Sequence, residues 1–479
     1  MAGFAEYAKH DAVGLARLIR DGEVGAEEVL AAAIERTEAV NPQLNAVVHT
    51  MYDEARAAIA AGLPDGPFRG VPYMLKDLGY FYKDVPTSAG SRFFADFVPD
   101  HDSTITTRLK AAGLVIMGKT NTPEFGAAGT TEPQLHGPTR NPWNPARSAG
   151  GSSGGAAAAV AAGVLPMAHA TDGGGSIRIP AAQCGLFGLK PTRGRNPAGP
   201  DQGEANAGLS VGHCVSRTVR DSAALLDATH GPEPGAPYIA PAPERPFIEE
   251  VGRDPGRLRI AYVTTALDGA AIDPECVTAA EATAALCAEL GHAVEPAAPD
   301  LDVAAIRDCW RVIIGVGLWN TLELRGAALG RAPTADDVEP VIWALANEGK
   351  ARTGVDYFRA VQAMHGIGRQ FAAFLESYDL LLSTTMAKPP IPLGAMDMTN
   401  PDLEDYYERQ LMDEIPFTPL ANETGGPAMS IPLHWTDDGL PVGVHFGGRY
   451  GEDGLLLRLA AQLEAARPWI DRRPEVWAG

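Results

Sequence analysis

Two short clusters of glycine and serine contain the candidates for a nucleophile in this chain. The first is "GGSSGG" at residues 150–155, and the second is "TDGGGS" at residues 171–176. Without Cβ atoms, consecutive backbone N–H groups can turn toward one point and bind an anion. A hydroxyl directly after such a loop can attack a carbonyl while the N–H groups receive the developing oxyanion. The second cluster therefore indicates Ser176 as a nucleophile. Its oxyanion hole would consist of the N–H groups of Gly173, Gly174, Gly175 and Ser176.

Both clusters also have a purely structural interpretation. A glycine turn followed by a capping serine accounts equally well for residues 173–176, and Ser152 or Ser153 can cap the helix predicted to follow the first cluster. The two clusters are, however, joined by one predicted helix and one predicted strand. This arrangement can bring their hydroxyls together, which favours the catalytic interpretation.

A serine nucleophile needs a base, and Lys76 is the strongest candidate. It follows the apolar run "VPYML", which predicts a short buried strand over residues 71–75. Burial disfavours the charged form of lysine and lowers its pKa by as much as about 3–5 units, so a buried lysine can accept a proton near pH 7. A lysine that extends to solvent or pairs with Asp77 remains the alternative. His169 is close to Ser176 in sequence but lies inside a predicted strand, so we do not expect it to be the base.

A possible phosphate-binding loop is present at residues 113–120. The stretch "GLVIMGKT" matches the pattern G-x-x-x-x-G-K-[ST], which would indicate a nucleotide-binding protein. Its four middle residues are themselves predicted to be a strand, and Asn121 and Pro123 disfavour a helix that begins at Lys119. The context therefore argues against nucleotide binding, and we expect Lys119 to be a surface or loop lysine.

The elements around these residues alternate between strands and helices. Residues 10–62 are predicted to form two helices, and strand–helix alternation then continues to a closing helix, which predicts an α/β fold. A Pro- and Gly-rich stretch at 232–246 is short enough to be a surface loop. We therefore expect residues 1–479 to form a single domain. Its expected segments are N-terminal helices over 1–65, a catalytic core over about 66–230 and the remainder over about 255–479.

Composition narrows the function classes. Against 39 basic residues there are 60 acidic ones, giving a formal charge of −21 that disfavours nucleic acids and anionic membranes as partners. The five cysteines are an odd number without a CxxC pair, as expected for reduced thiols in the cytoplasm. No signal peptide, apolar segment of about 20 residues or zinc-binding spacing is evident. We expect a cytoplasmic protein without a metal or another cofactor.

The motifs together resemble those of the amidase signature family of serine hydrolases. The resemblance is carried by "GVPYMLKD", "GGSSGG" and "TDGGGSIRIPAAQCGLFGLKPT", and "GKTNTPEFG", "GPTRNPWNP" and "FTPLANETGGPAMSIPL" are also similar to family segments. It implies a large mixed sheet covered by helices on both faces. It also implies cofactor-free hydrolysis of a small-molecule amide, and a homodimer, since dimers are frequent among relatives.

The resemblance also implies a Ser–Ser–Lys triad. Ser176 matches the nucleophile, Lys76 matches the base, and Ser152 matches the serine that follows an unusual cis peptide bond and relays the proton. Water then cleaves the acyl-enzyme. Supporting roles in holding these loops are implied for Ser153, Asp172 and Arg178.

Departures from the family pattern bear on the substrate. Ala156 stands where serine is usual, which we expect to be harmless, and Ile179 replaces the glutamine of glutamyl-tRNA amidotransferase members. The second departure argues against the alternative of a glutamine-hydrolysing amidotransferase A subunit. The stretch around Ser176 is most similar to members of the 6-aminohexanoate cyclic dimer type and to aryl-acylamidases or carbamate-cleaving members. Uncharged, fairly apolar amides, anilides or carbamates are therefore the expected substrates.

Three parts of the chain are candidates for the pocket wall. Gly126 falls where family members line the acyl channel, and a glycine there leaves room for bulk. Ile179 is a second candidate. The apolar segment 307–320 is interpreted first as a buried helix and only second as a pocket wall, and Cys309 within it is not expected to contribute.

Overall fold

A computed structural model describes residue 4 and residues 6–479, and strands alternate with helices through most of this range. The strands are β1 (Val47–Thr50), β2 (Pro72–Lys76), β3 (Val115–Thr120), β4 (Arg140–Asn141), β5 (Asn144–Ser148), β6 (Met167–Asp172), β7 (Phe187–Lys190), β8 (Val211–Ser216), β9 (Arg259–Tyr262), β10 (Ala293–Pro296), β11 (Leu380–Thr384), β12 (Ala428–Trp435) and β13 (Pro441–Gly448). The helices are α1 (Ala12–Arg20), α2 (Ala26–Leu44), α3 (Tyr52–Ala61), α4 (Thr104–Ala111), α5 (Gly154–Ala161), α6 (Arg178–Cys184), α7 (Val219–Thr229), α8 (Pro274–Glu289), α9 (Val303–Ala328), α10 (Pro340–Ala351), α11 (Gly354–Phe374), α12 (Thr418–Thr424) and α13 (Asp453–Ala466). A π-helix spans Glu404–Met412.

An eight-stranded mixed sheet forms the centre of the fold. Its order is β10-β9-β11-β13-β12-β7-β8-β6. The first three strands of this order are parallel to one another, and every pair from β11–β13 to β8–β6 is antiparallel. The predicted α/β class and the mixed sheet are therefore confirmed.

Helices cover both faces of this sheet. Side chains alternate between the two faces along a strand. On β11, Leu381 belongs to the same hydrophobic cluster as residues of α9 and α11, whereas Leu380 and Leu382 belong to a cluster with residues of α8 and α13. The two-sided burial explains why β11 begins with three consecutive leucines, Leu380 to Leu382.

A three-stranded sheet, in the order β1-β3-β2, positions the candidate base. β2 is fully buried, runs parallel to β3 and packs against β6. The backbone N–H of Lys76 donates to Nδ1 of His169 on β6, at 3.3 Å. The strand expected over residues 71–75 is confirmed with a shift of one residue, and it places Lys76 beside the strand that leads to the glycine triplet.

The N-terminal region differs from the prediction of two helices over residues 10–62. It contains three helices and the strand β1. Asn45 adopts a left-handed conformation, with φ of 50°, and ends α2. The β-branched pair Val47–Val48 then pairs with β3, so tertiary pairing overrides the helical pattern that continues around it.

The expectation of a surface or loop position for Lys119 is wrong. Lys119 is fully buried near the end of β3. Its Nζ donates to the carbonyl oxygen of Pro86 at 2.5 Å and to Oγ1 of Thr87, and it lies 3.9 Å from Oδ1 of Asp77. These acceptors offset the desolvation of the ammonium group. Residues 115–120 are all strand and no helix begins at Lys119, so the described geometry is not that of a phosphate-binding loop.

The cysteines form no disulfides, and the helices of the described residues are not membrane spans. All five cysteines are buried and unpaired. Of the helices in the described residues, none has the length and apolar character needed to span a bilayer.

Candidate active site

The amine of Lys76 points at the first glycine–serine cluster. Its Nζ donates to Oγ of Ser152 at 2.7 Å and to Oγ1 of Thr171 at 2.9 Å. Lys76 is the last residue of β2 and is completely buried. Thr171 is a site residue that the sequence analysis missed, although it lies beside Asp172 in the stretch "TDGGGS" that drew attention to Ser176.

Burial sets the protonation of Lys76. Desolvation lowers the pKa of its amine from the usual 10.5 to about 7, and the negative charge of Asp172 offsets part of this effect. The neutral form of Lys76, which is the form that accepts a proton, is therefore well populated near neutral pH. His169 lies on the neighbouring strand β6, and burial together with the charge of Lys76 lowers its pKa to about 3. The imidazole is neutral and its Nδ1 accepts from the backbone of Lys76.

Ser152 lies in the loop between β5 and α5. The peptide bond between Gly151 and Ser152 is cis, as the resemblance implied. The neighbouring Ser153 has its Oγ 3.3 Å from both the N and the O of Thr171, which ties this loop to β6. Gly126 lies close to the side chain of Ser152, because a Cβ added at Gly126 would lie 3.0 Å from Oγ of Ser152.

The glycine loop between β6 and α6 is folded around the carboxylate of Asp172. Its Oδ1 accepts from the N–H of Gly175 at 2.9 Å, and its Oδ2 accepts from the N–H of Ile177 at 3.1 Å. This finding corrects the predicted oxyanion hole, because the Gly175 N–H is already bound to the carboxylate. Among the described residues, the N–H groups without a hydrogen bond in this loop are those of Gly173, Gly174 and Ser176.

Two side chains from distant elements hold the carbonyl groups of the same loop. Trp310 Nε1 on α9 donates to the carbonyl oxygen of Gly173 at 3.0 Å, and Thr418 Oγ1 on α12 donates to that of Gly174 at 2.7 Å. In a trans peptide the N–H points away from the C=O, so these two bonds also fix the directions of the following N–H groups. Both residues lie in segments that the sequence analysis quoted, but their contacts with the loop depend on tertiary packing.

Arg178 and Asp172 form a fully buried ion pair behind the loop. The guanidinium donates from Nε at 2.9 Å and from Nη2 at 2.8 Å to the two carboxylate oxygens. Asn422 accepts from Arg178 Nη2 at 2.7 Å and donates to Asp172 Oδ1 at 2.8 Å, and Arg178 Nη1 lies 2.9 Å from Nε2 of His445. Burial alone would raise the pKa of Asp172, but the charge of Arg178 and these bonds hold it below its usual range.

A cavity of about 320 Å³ opens onto this site, and Ser152, Ser176, Gly126 and Ile179 all line it. No Asp, Glu, Lys or Arg is among its lining residues. The remainder of the wall is largely apolar and aromatic and includes Leu78, Phe81, Phe94, Phe97, Phe125, Trp310, Ile314 and Leu318. Segment 307–320 is thus both a buried helix and a pocket wall. Cys309 does not line the cavity, and its Sγ donates to Oε1 of Glu423 at 3.3 Å instead.

The structure brings Lys76 and Ser152 into direct contact and places Ser176 in the same cavity. Among the hydrogen bonds of the described residues, none joins Ser152 to Ser176. Ser176 is partly exposed to the cavity. No group of three or more His, Cys, Asp or Glu in the described residues has a metal-binding arrangement.

The family model for amidases matches residues 28–457. This chain belongs to the amidase family. The amidase is 40% identical to a 6-aminohexanoate-cyclic-dimer hydrolase of Paenarthrobacter ureafaciens, over 97% of this chain and 96% of that protein. It is 35% identical to an acylamidase of Rhodococcus erythropolis, with 97% and 96% covered. Its fold matches the solved structure of a 6-aminohexanoate cyclic dimer hydrolase with a TM-score of 0.94 at 39% identity, covering 98% and 99% of the two chains. The amidase is therefore a hydrolase that acts on amide C–N bonds.

Proposed function

We propose that the amidase cleaves its substrate through Ser176, with Ser152 and Lys76 as a proton relay. The observation that carries this proposal is the 2.7 Å contact between Lys76 Nζ and Ser152 Oγ, in a buried site where the pKa of Lys76 falls to about 7. A base with a pKa near the working pH is the most effective one for proton transfer.

The relay moves one proton at each step. Neutral Lys76 accepts the proton of Ser152, which accepts the proton of Ser176 as its Oγ attacks the carbonyl carbon. The tetrahedral intermediate expels the amine, which takes a proton from Ser152 while Lys76 returns its proton to Ser152, and an acyl group is left on Ser176. Water repeats the sequence in the second half-reaction and releases the acid. Catalytic hydrogen bonds are often long before the substrate binds. The absence of a hydrogen bond between Ser152 and Ser176 is therefore compatible with these proton transfers.

The N–H groups of Gly173, Gly174 and Ser176 would stabilise the oxyanion. They are the free donors of the loop, and the Gly175 N–H is excluded by its bond to Asp172. We assign Asp172, Arg178 and Ser153 the role of holding the two loops in register. Trp310 and Thr418 serve the same purpose from the carbonyl side.

The substrates we propose are small, uncharged, fairly apolar amides or anilides, with carbamates and esters as related substrates. A cavity without charged lining residues would desolvate a charged substrate without pairing it. The rings of Phe94 and Phe97 lie 5.8 Å apart and those of Phe94 and Phe125 lie 5.6 Å apart, each pair edge to face, and such clusters accept an aromatic ring. The names of the two relatives, a cyclic-dimer hydrolase and an acylamidase, support the same class.

A fluorophosphonate probe tests the nucleophile. We expect one probe per chain, attached to the peptide that contains Ser176, with no labelling of Ser176→Ala. Turnover of nitroanilides by the purified chain alone also separates hydrolysis from the amidotransferase alternative, which needs partner proteins. Label found on Ser152 instead, with full activity in Ser176→Ala, would contradict the assignment.

For location and assembly we propose a cytoplasmic homodimer. The five buried, unpaired thiols support a reducing compartment, and the homodimer rests on the family resemblance. Sedimentation equilibrium would test assembly, with an expected mass of twice the 50.4 kDa of the chain.

A further inference from the structure

A tight turn at residues 205–210 borders the same cavity and has no role in the mechanism above. Ala205, Asn206 and Ser210 all line the cavity together with Ser176. The turn continues directly into β8, whose first residue pairs with Asp172. We call residues 205–210 the Asn206 turn. It is linked through one strand pair to the loop that carries the nucleophile.

The backbone of this turn is held in an uncommon conformation. Asn206, Ala207 and Gly208 have φ values of 53°, 52° and 80°, so three consecutive residues are left-handed. Alanine rarely adopts this conformation, and such strain persists where the surroundings hold it and tends to cluster at ligand-binding sites.

Two side chains supply that support, the buried Asn422 and the partly buried Arg193. Arg193 Nε donates to the carbonyl oxygen of Gly208 at 2.7 Å, and Asn422 Nδ2 donates to that of Leu209 at 3.0 Å. Asn422 is the same residue that binds Asp172 and Arg178. The turn and the catalytic loop are therefore positioned by one common network.

The side chains of the turn present a donor and an acceptor to the cavity. Asn206 Nδ2 donates to Ser210 Oγ at 3.0 Å, which leaves the hydroxyl proton of Ser210 free to be donated elsewhere. No described residue donates a hydrogen bond to Oδ1 of Asn206. This oxygen faces Gly317 on α9, where an added Cβ would lie 3.1 Å from it. Ser210 Oγ lies 2.6 Å from the position of a Cβ on Gly173, three residues before the nucleophile.

We propose that Asn206 and Ser210 bind a second amide group of the substrate, other than the one that is cleaved. An amide offers a carbonyl acceptor and an N–H donor, which match the free hydroxyl of Ser210 and Oδ1 of Asn206. This inference rests on the proposed function, because it assigns the substrate of the same site. It makes the enzyme selective for diamides among otherwise apolar substrates.

The experiment compares a linear diamide with a matched monoamide in which the second –CO–NH– unit is replaced by –CH₂–CH₂–. We expect the wild type to favour the diamide in kcat/KM by about tenfold, as two hydrogen bonds of ordinary strength provide. Asn206→Gly keeps the left-handed backbone and removes the side chain, and Ser210→Ala removes the hydroxyl. Each should bring this ratio down severalfold, through KM rather than kcat.

Asn45→Gly is the matched control, since Asn45 is also left-handed, with φ of 50°, but is not among the cavity-lining residues. It should leave the diamide preference at the wild-type ratio. A wild type without diamide preference, or an Asn206→Gly variant that retains the full ratio, would overturn the inference.

A binding measurement separates this inference from the catalytic proposal. Calorimetry on the Ser176→Ala variant, with and without Asn206→Gly, reports the affinity for both compounds without turnover. Tighter binding of the diamide that disappears with Asn206→Gly supports the inference even if Ser176 is not the nucleophile. Equal affinity for the two compounds contradicts it even if the enzyme hydrolyses both.

Discussion

Lys76 Nζ lies 2.7 Å from Ser152 Oγ in a site where its amine is fully buried, and the negative charge that acts on this amine is that of Asp172. An ion pair in direct contact would raise the pKa of the amine and keep it protonated. Here Asp172 is engaged by Arg178, and desolvation dominates. Because Asp172 is not in direct contact with the amine, neutral Lys76 is well populated near pH 7, as the proposed role of base requires.

The first prediction concerns the pH dependence of activity. Because Lys76 accepts a proton only when neutral, kcat/KM should rise about tenfold per pH unit below pH 7 and level off above an apparent pKa of about 7. Lys76→Met should lose several orders of magnitude in kcat at every pH. A pH–rate profile measured with an uncharged anilide checks this, and an unchanged rate down to pH 5 would falsify the assignment of Lys76 as the base.

The same titration predicts an effect on stability. The pKa of Lys76 is lowered in the folded state, so between pH 7 and 10.5 the unfolded chain binds more protons and the free energy of unfolding rises with pH. From pH 7 to pH 9 the wild type should gain about 2 kcal/mol relative to Lys76→Met. Urea unfolding of both proteins at the two pH values measures this difference, and parallel pH dependence would contradict the burial of a neutral amine.

The second prediction uses the space between Gly126 and Ser152. A Cβ at Gly126 would lie 2.7 Å from Cδ2 of Leu78 and 3.0 Å from Oγ of Ser152, so Gly126→Ala must displace the relay serine. The 3.0 Å contact calls for a shift of a few tenths of an ångström. Because displacements near 1 Å in a catalytic group cost about 100-fold in rate, we expect this smaller shift to lower kcat severalfold.

Gly330→Ala is the matched control for this prediction. Gly330 has φ of 69°, against 70° for Gly126, and a Cβ there meets no atom within 4 Å. Both variants carry the same left-handed strain of about 1 kcal/mol. Only Gly126→Ala should lose activity, so equal losses in steady-state assays would show that backbone strain, and not the contact with Ser152, is responsible.

The sequence was sufficient to select Ser176 and Lys76 for the proposed roles of nucleophile and base, because the features that mark them are local. Ser176 follows a glycine triplet, and Lys76 ends an apolar strand, so their positions could be predicted from neighbouring residues. Lys119 shows the limit of that approach. Its burial depends on Pro86 and Thr87, which reach it from another loop, and a lysine among apolar residues gives no sign of such partners.

The supports of the site were beyond local patterns for the same reason. Asn422, Thr418 and Trp310 contact residues 172–174 across more than 130 positions of sequence. A glycine triplet predicts three equivalent donors, and the Gly175 N–H is therefore included in the oxyanion hole expected from the sequence. The three N–H groups are not equivalent in the folded loop, because the Gly175 N–H donates to the carboxylate of Asp172. This bond depends on how the loop folds and cannot be predicted from the glycine triplet.

The third prediction is that Asp172→Asn impairs both stability and activity. The change leaves the Arg178 guanidinium buried without its counter-charge, which typically costs about 3–5 kcal/mol. It also removes the charge that raises the pKa of Lys76, so the acid limb of any residual activity should move to lower pH. Chemical denaturation and the pH–rate profile measure the two effects.

Asp65→Asn provides the comparison for that measurement. Asp65 is 96% exposed in its side chain and lies 4.0 Å from Arg69, so its pair is expected to contribute less than about 0.5 kcal/mol. A similar loss of stability in both variants would mean that the buried pair has no special role in holding the glycine loop.

The fourth prediction concerns Lys119. Lys119→Met removes the cation that pairs with the buried carboxylate of Asp77, which directly follows the proposed base, and we expect a loss of about 3 kcal/mol in the free energy of unfolding. Lys119→Met/Asp77→Asn should recover part of this loss, because no unpaired charge remains. A double-mutant cycle from urea unfolding measures the coupling, which for contacting charges is about 0.5–3 kcal/mol. Additive losses would contradict a direct interaction. Tight ATP binding by the wild type that disappears in Lys119→Met would instead revive the nucleotide-binding alternative.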